Sequence, residues 1–214
     1  MSATAPVIRI VDDDPSFRVA VGRLLRAAGY ATREYPSAGD YLVAEAGDEP
    51  GCVLLDLKMP GPSGLDLQAT LAKGDRSLPI VFLTAHGDVP NSVRAMKAGA
   101  LDFLGKPVKR DTLLGAVRTA LARDEERRIT REELRTLRAR YETLSPRERE
   151  VLGHVVAGRL NKQIASAIGA AERTVKAHRA RVMEKMGASS VADLVRAADR
   201  LLAGESARAA PRTA

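Results

Sequence analysis

The chain has 214 residues, 45% hydrophobic and 29% charged, which suits two modest domains with a core each. A single cysteine, Cys52, excludes an intramolecular disulfide; no apolar run approaches the ~20 residues of a membrane span, and Met1 to Pro6 lack the features of a signal peptide, so a cytoplasmic protein without a membrane partner is expected. The net charge of +7 is unevenly divided: residues 1–121 carry 14 Lys and Arg against 14 Asp and Glu, and residues 122–214 carry 20 against 13, so the second half is the one suited to a polyanion.

Val7 to Val11 is a β-branched run that stops at Asp12-Asp13-Asp14-Pro15, the pattern of a buried strand with acids at its C-terminal end. Phe17, Val21, Leu24, Leu25 and Ala28 then recur at helical spacing between Pro15 and Gly29. A short strand is expected over 31–35 and a helix over 37–46. The apolar run Cys52 to Leu55 ends on Asp56 and is broken by Pro60 and Gly61, with a helix expected from about Leu65. Pro79 to Thr84 reads as a strand ending on a hydroxyl, Val89 to Ala98 as a helix, Leu101 to Leu104 as a fifth strand followed by Gly105-Lys106-Pro107, and a last helix starts near Asp111. Repeated βα units of this length predict a flavodoxin-like, doubly wound, five-stranded parallel sheet.

Four predicted strand ends carry Asp12 and Asp13, Asp56, Thr84 and Lys106. Clustered carboxylates repel unless they share a hard cation, and Mg²⁺ accepts few carboxylates while leaving room for a phosphate oxygen. A lysine and a hydroxyl suit the remaining oxygens of a phosphoryl group, leaving Asp56 free as the nucleophile.

Residues 6–121 resemble the receiver domain of two-component response regulators in Val11-Asp12-Asp13, Leu55-Asp56-Leu57-Lys58-Met59-Pro60-Gly61, Leu83-Thr84-Ala85 and Lys106-Pro107. The resemblance implies Asp56 as phospho-acceptor and Mg²⁺, or another divalent cation such as Mn²⁺, on Asp12, Asp13, Asp56 and the backbone carbonyl of Lys58. It further implies Thr84 and Lys106 as phosphoryl-binding groups, Thr84 and Phe103 as the switch pair, and a cis Lys106-Pro107 bond. Gly105 stands where the family usually has a larger residue.

Residues 122–142 are highly charged and contain no proline or glycine, with Leu134, Leu137 and Tyr141 at spacings of three and four. They read as a helical linker, either a short coiled-coil seam in a dimer or a solvated connector. Ser145-Pro146-Arg147-Glu148 is a capping-box start for a helix that buries Val151, Leu152, Val155 and Val156. Asn161 is placed to cap a second helix with Ile164 and Ile168 inward, and a third runs from about Glu172 to Met186. Short helices with a tight glycine turn in a basic segment form a helix-turn-helix pattern. The final helix, about 190–203, carries Val191, Leu194, Val195, Ala198 and Leu202 at helical spacing, and the tail 205–214 is expected to be disordered.

The segment 143–204 resembles the LuxR-type helix-turn-helix of NarL/FixJ response regulators, nearest the FixJ-like branch, in Leu144 to Leu152, Asn161-Lys162-Gln163-Ile164-Ala165 and Arg173 to Arg179. The third helix is then the one expected in the major groove of double-stranded DNA, through Arg173, Thr174, Lys176, Ala177, His178, Ala180 and Arg181. The resemblance implies that the last helix pairs two copies through Val191, Leu194 and Val195. Ala170-Ala171 lacks the usual cap, so the start of the third helix is expected to fray without DNA.

The expected protein is a transcription factor rather than an enzyme, catalysing at most its own phosphotransfer and dephosphorylation. A sensor histidine kinase phosphorylates it, it dimerises on phosphorylation, and it regulates transcription, with activation as the sign its branch implies and RNA polymerase as a further possible partner. Two readings compete. A phosphohydrolase would use Asp12 as nucleophile with Asp14, and a constitutive DNA-binding protein would leave the receiver unphosphorylated.

Overall fold

The computed structural model describes residues 5–44, 49–74, 78–85 and 89–209. The chain divides into two compact units, Met1–Arg128 and Ile129–Ala214.

In the first unit, strands β1 (Val7–Val11), β2 (Ala31–Tyr35), β3 (Gly51–Asp56), β4 (Ile80–Thr84) and β5 (Asp102–Gly105) alternate with helices α1 (Pro15–Ala27), α2 (Ala38–Ala44), α3 (Gly64–Lys73), α4 (Val89–Lys97) and α5 (Arg110–Glu142). The sheet is parallel throughout, in the order β2-β1-β3-β4-β5. Period-two alternation divides its side chains between two cores. Ile8, Ile10, Cys52, Leu54, Val81 and Leu83 pack with Leu25, Leu113 and Val117 on one face, while Val53, Leu55, Ile80 and Phe82 pack with Tyr41 and Leu67 on the other. The buried Cys52 thiol is pushed up to about 12 by desolvation, which leaves it protonated and inert. Element bounds follow the sequence expectation within a residue or two; β5 begins at Asp102 rather than Leu101, and of the helix expected over 37–46 the last two residues lie outside the described set.

The second unit is helical: α6 (Pro146–Val156), α7 (Asn161–Ile168), α8 (Glu172–Met186) and α9 (Val191–Ala209) enclose Val151, Leu152, Val155, Ile164, Val175, Val182, Met186 and Leu194. The predicted capping box opens α6, with Glu148 N donating to Ser145 Oγ at 3.2 Å and Ser145 N to Glu148 Oε2 at 2.8 Å. Asn161 does not cap α7. It is the first helical residue, its Oδ1 accepts from Arg179 at 2.8 Å, and Gln163 accepts the Leu160 N–H instead. α8 starts on Ala171 with no side-chain cap, as its sequence implies.

Two expectations change. The segment 122–142 continues the last receiver helix as part of α5 and is mostly exposed, but its few buried and half-buried positions serve two different cores. Asp124 is buried in the first unit and accepts the Gly51 N–H at 2.9 Å, whereas Leu134, Leu137 and Tyr141 pack on the core of the second. Arg140 donates to Met186 O at 3.2 Å and Arg200 to Glu133 at 2.5 Å, so the last turns of α5 act as a further helix of the second unit. Helix α9 also runs on to Ala209, past Gly204, with no proline to stop it before Ala209; residues 210–214 lie outside the described set. Among the described residues, no helix is long and apolar enough to cross a membrane.

Candidate functional site

The register of the sheet brings the strand-end residues to one edge. Val11 pairs with Leu55, Asp56 with Leu83 and Thr84 with Gly105, so Asp12, Asp56, Thr84 and Lys106 follow one another across β1, β3, β4 and β5. Lys106 Nζ lies 2.6 Å from Asp12 Oδ2 and 2.6 Å from Asp56 Oδ1. Each carboxylate is also held from behind by an amide, Asp14 N to Asp12 Oδ1 at 3.0 Å and Lys58 N to Asp56 Oδ2 at 2.7 Å. Lys106 N donates to Thr84 O at 2.6 Å, the Lys106-Pro107 bond is cis, and Thr84 is buried. Phe103 is half-buried, with its ring 6.0 Å from that of Phe82.

Burial raises the pKa of Asp12, and the Lys106 ammonium only partly offsets it. For Lys106 desolvation pulls downward, but hydrogen bonds to Asp12 and Asp56 with their two charges outweigh it, so its pKa is raised. A buried carboxylate pair that relies on an ammonium is chemically suited to a hard cation. Mg²⁺ is usually held by one or two carboxylates, waters and phosphate oxygens, and the Asp12/Asp56 oxygens fit that donor set. Asp13 stands apart from the pair: it is exposed, and among the described residues no group of three His, Cys, Asp or Glu side chains converges as a metal site.

Three neighbours were not anticipated as site residues. The Phe17 ring lies beneath Lys106, with Nζ 4.3 Å from its centroid, and Arg18 donates to Asp12 O at 2.5 Å. Both sit in the first turns of the helix that leaves β1, and a helix starting directly after a strand end necessarily opens at the same edge; that was the available signal. Gly64 is the third. A Cβ there would lie 2.2 Å from Asp56 O, so only glycine lets α3 start this close to the strand end. Asp14 is the N-cap of α1, its Oδ1 accepting from Ser16 N at 2.8 Å and Phe17 N at 3.2 Å.

In the second unit, Arg173, Thr174, Lys176, Ala177, Ala180 and Arg181 are exposed on α8, opposite the buried Val175 and Val182. His178 is half-buried and its Nδ1 is enclosed by protein, so it differs from the other predicted contacts. On α9, Val191 is 41% exposed and Val195 half-buried, but Leu194 is 1% exposed within the core. Leu194 therefore belongs to the core and not to the outer face expected to pair two copies: residues 194, 197 and 201 form the inward stripe, and 191, 195, 198 and 202 the neighbouring outer one. His154 and His178 form no metal cluster among the described residues, and His86 lies outside them.

The chain matches two family models, the response regulator receiver domain over residues 8–118 and the luxR family of bacterial regulatory proteins over residues 142–198. It is 44% identical over 200 residues to nodulation protein W of Bradyrhizobium diazoefficiens, covering 94% of this chain and 88% of that one. It is 41% identical over 197 residues to the transcriptional regulatory protein FixJ of Azorhizobium caulinodans, covering 92% of each. Among solved structures, the response regulator StyR matches with a TM-score of 0.81 at 42% identity, over 92% of this chain and 99% of that one. With a receiver sheet that gathers acids, hydroxyl and lysine at one edge, and a basic helix-turn-helix unit after it, the chain belongs to the NarL/FixJ-type response regulators, transcriptional regulators that join a receiver domain to a LuxR-type DNA-binding domain.

Proposed function

We propose that Asp56 is the residue that accepts a phosphoryl group, from a sensor histidine kinase, and that its modification controls dimerisation and DNA binding. The observation that carries this is the Lys106 ammonium bridging Asp12 and Asp56 at 2.6 Å on each side, at the strand-end edge where ligands of open α/β sheets bind. Asp56 Oδ1 attacks phosphorus as the bond to the donor's leaving group breaks, and Lys106 and the Thr84 hydroxyl take the phosphoryl oxygens. Asp12, Asp56, the Lys58 carbonyl and, once drawn in from solvent, Asp13 are the residues that would hold Mg²⁺ or Mn²⁺. The bound cation would neutralise charge that develops on the transferring group.

Phosphorylation adds about −1.5 to −2 charge at Asp56. Thr84 and Phe103 then move inward toward it, and the surface built by α4, β5 and α5 is remodelled into a homodimer contact. In the DNA-bound dimer, the outer stripe of α9, with Val191 and Val195, pairs two second units, and α8 enters the major groove of each half-site through Arg173, Thr174, Lys176, Ala177, Ala180 and Arg181, with His178 at its margin. The protein acts in the cytoplasm, activates transcription and contacts RNA polymerase at the promoter. Any catalysis is confined to its own phosphotransfer and dephosphorylation. The phosphohydrolase alternative is disfavoured because Asp14, its second acid, serves as the N-cap of α1 through Oδ1.

Intact mass after incubation with acetyl phosphate and Mg²⁺ tests the assignment, followed by gel shift of the same samples. Wild type is expected to gain a labile phosphoryl adduct and bind DNA more tightly, and Asp56→Asn to do neither. Undiminished labelling of Asp56→Asn would overturn the assignment.

A further inference from the structure

We propose that Phe17 is a positioning residue for Lys106, its ring serving as the third partner of the ammonium that faces Asp56. The proposal rests on the functional reading above and adds to it a residue on another element.

An ammonium has three N–H donors and no acceptor. Two of those on Lys106 are taken by Asp12 Oδ2 and Asp56 Oδ1, and the Phe17 ring lies 4.3 Å from the same nitrogen, well inside the range at which an aromatic face attracts a cation. The lysine side chain is only 15% exposed, so little water competes for it. A lysine stem has four rotatable carbons and holds no position by itself. The ring does hold one: Phe17 N is fixed to the Asp14 cap, and its side chain packs against the core cluster on that face of the sheet. Helix α1 thus supplies, through its first turn, a fixed platform for a flexible side chain that comes from the other end of the domain.

Leucine in place of Phe17 would fill much of the same apolar space but present no negative face. The ammonium would keep its two carboxylates and lose the contact that holds it on the Asp56 side. Tyrosine keeps the face. If Phe17 were only a core residue, leucine and tyrosine would differ in stability alone and their effects would not depend on Lys106.

The test uses the full chain as wild type, Phe17→Leu, Phe17→Tyr, Lys106→Met and the two double variants. Phosphoryl labelling of Asp56 by acetyl phosphate and Mg²⁺ is expected to slow about 3- to 10-fold in Phe17→Leu and to stay within about 2-fold of wild type in Phe17→Tyr. In NMR spectra recorded without metal, the Lys106 Hε protons are expected upfield in wild type and Phe17→Tyr, and at ordinary shifts in Phe17→Leu. In urea unfolding, Phe17→Leu is expected to lower the folding constant by about 3- to 10-fold more beside Lys106 than in the Lys106→Met background.

Equal labelling rates for wild type and Phe17→Leu, or additive effects on unfolding, would overturn the positioning role while leaving Asp56 as phospho-acceptor. No adduct on wild type would instead refute the phospho-acceptor reading, and the NMR and unfolding arms would still decide whether ring and ammonium are coupled. Ordinary Lys106 Hε shifts in wild type would remove the contact itself.

Discussion

Replacing Leu194 by alanine separates the interior of the second unit from its proposed pairing surface. Leu194 is 1% exposed and packs in the core with Val151, Ile164 and Val182, whereas Val191, three residues earlier on α9, is 41% exposed. The substitution removes three carbons from a fully buried site, worth about 2.4 kcal/mol at roughly 0.8 kcal/mol each. The unfilled cavity raises the expected loss to about 3–5 kcal/mol, and for a unit of this size 3 kcal/mol corresponds to a fall of roughly 12–24 °C in Tm. Val191→Ala, at a site still open to solvent, is expected to cost less than about 1 kcal/mol and to weaken self-association of the phosphorylated protein. Thermal melts followed by far-UV circular dichroism, paired with sedimentation of the phosphorylated samples, read both quantities. A Leu194→Ala protein that melts within about 4 °C of wild type and fails to dimerise would show that the stripe facing the core has been misassigned.

Asp124→Ala should destabilise the receiver by about 1–3 kcal/mol, because it strands the buried Gly51 N–H, and a truncation ending at residue 121 should lose the same contact; an unchanged receiver melt would contradict this. Gly64→Ala would drive a methyl group to within 2.2 Å of Asp56 O, so it is expected to cost about 1–3 kcal/mol and to slow labelling of Asp56. Gly115→Ala, where the nearest neighbour of an added Cβ is an arginine tip at 3.9 Å, should instead stabilise α5 by about 0.5–1 kcal/mol, and calorimetry of the pair would reveal any reversal. The hydrogen bond from Lys185, aided by the Ser145 N–H, holds Glu148 at about 2 against an ordinary 4.5. A depressed acid stabilises the fold above its unfolded value, so this contribution is complete above pH 4.5 and disappears as pH falls toward 2. Glu148→Gln should flatten the melting temperature of the second unit across that window, and an unaltered acid slope would exclude the pair as its cause.

The strands and helices were legible because each has a local cause. Short apolar runs ending on Asp12, Asp56 and Thr84 mark buried strands of a parallel sheet, and Ser145-Pro146 with Glu148 marks the start of α6 without help from the rest of the chain. The same locality made the strand-end residues visible as a group, since a doubly wound sheet places all C-terminal strand ends on one edge.

What only the tertiary structure decided depends on contacts between distant segments. Lys106 reaches Asp12 and Asp56 across 94 and 50 residues, and the ring beneath it belongs to a helix whose periodicity marked Phe17 simply as apolar. Along 110–142 the sequence is helical throughout, so composition alone could not assign Asp124 to the receiver core and Leu137 to the helical one; that depends on what each turn meets. On α9 the apolar positions are wider than a single stripe, and periodicity could not tell Leu194 from Val191. The choice between core and surface was made by the neighbours: α6 and α8 cover the first and leave the second to solvent, because burial is a property of packed elements and not of the helix that carries the residue.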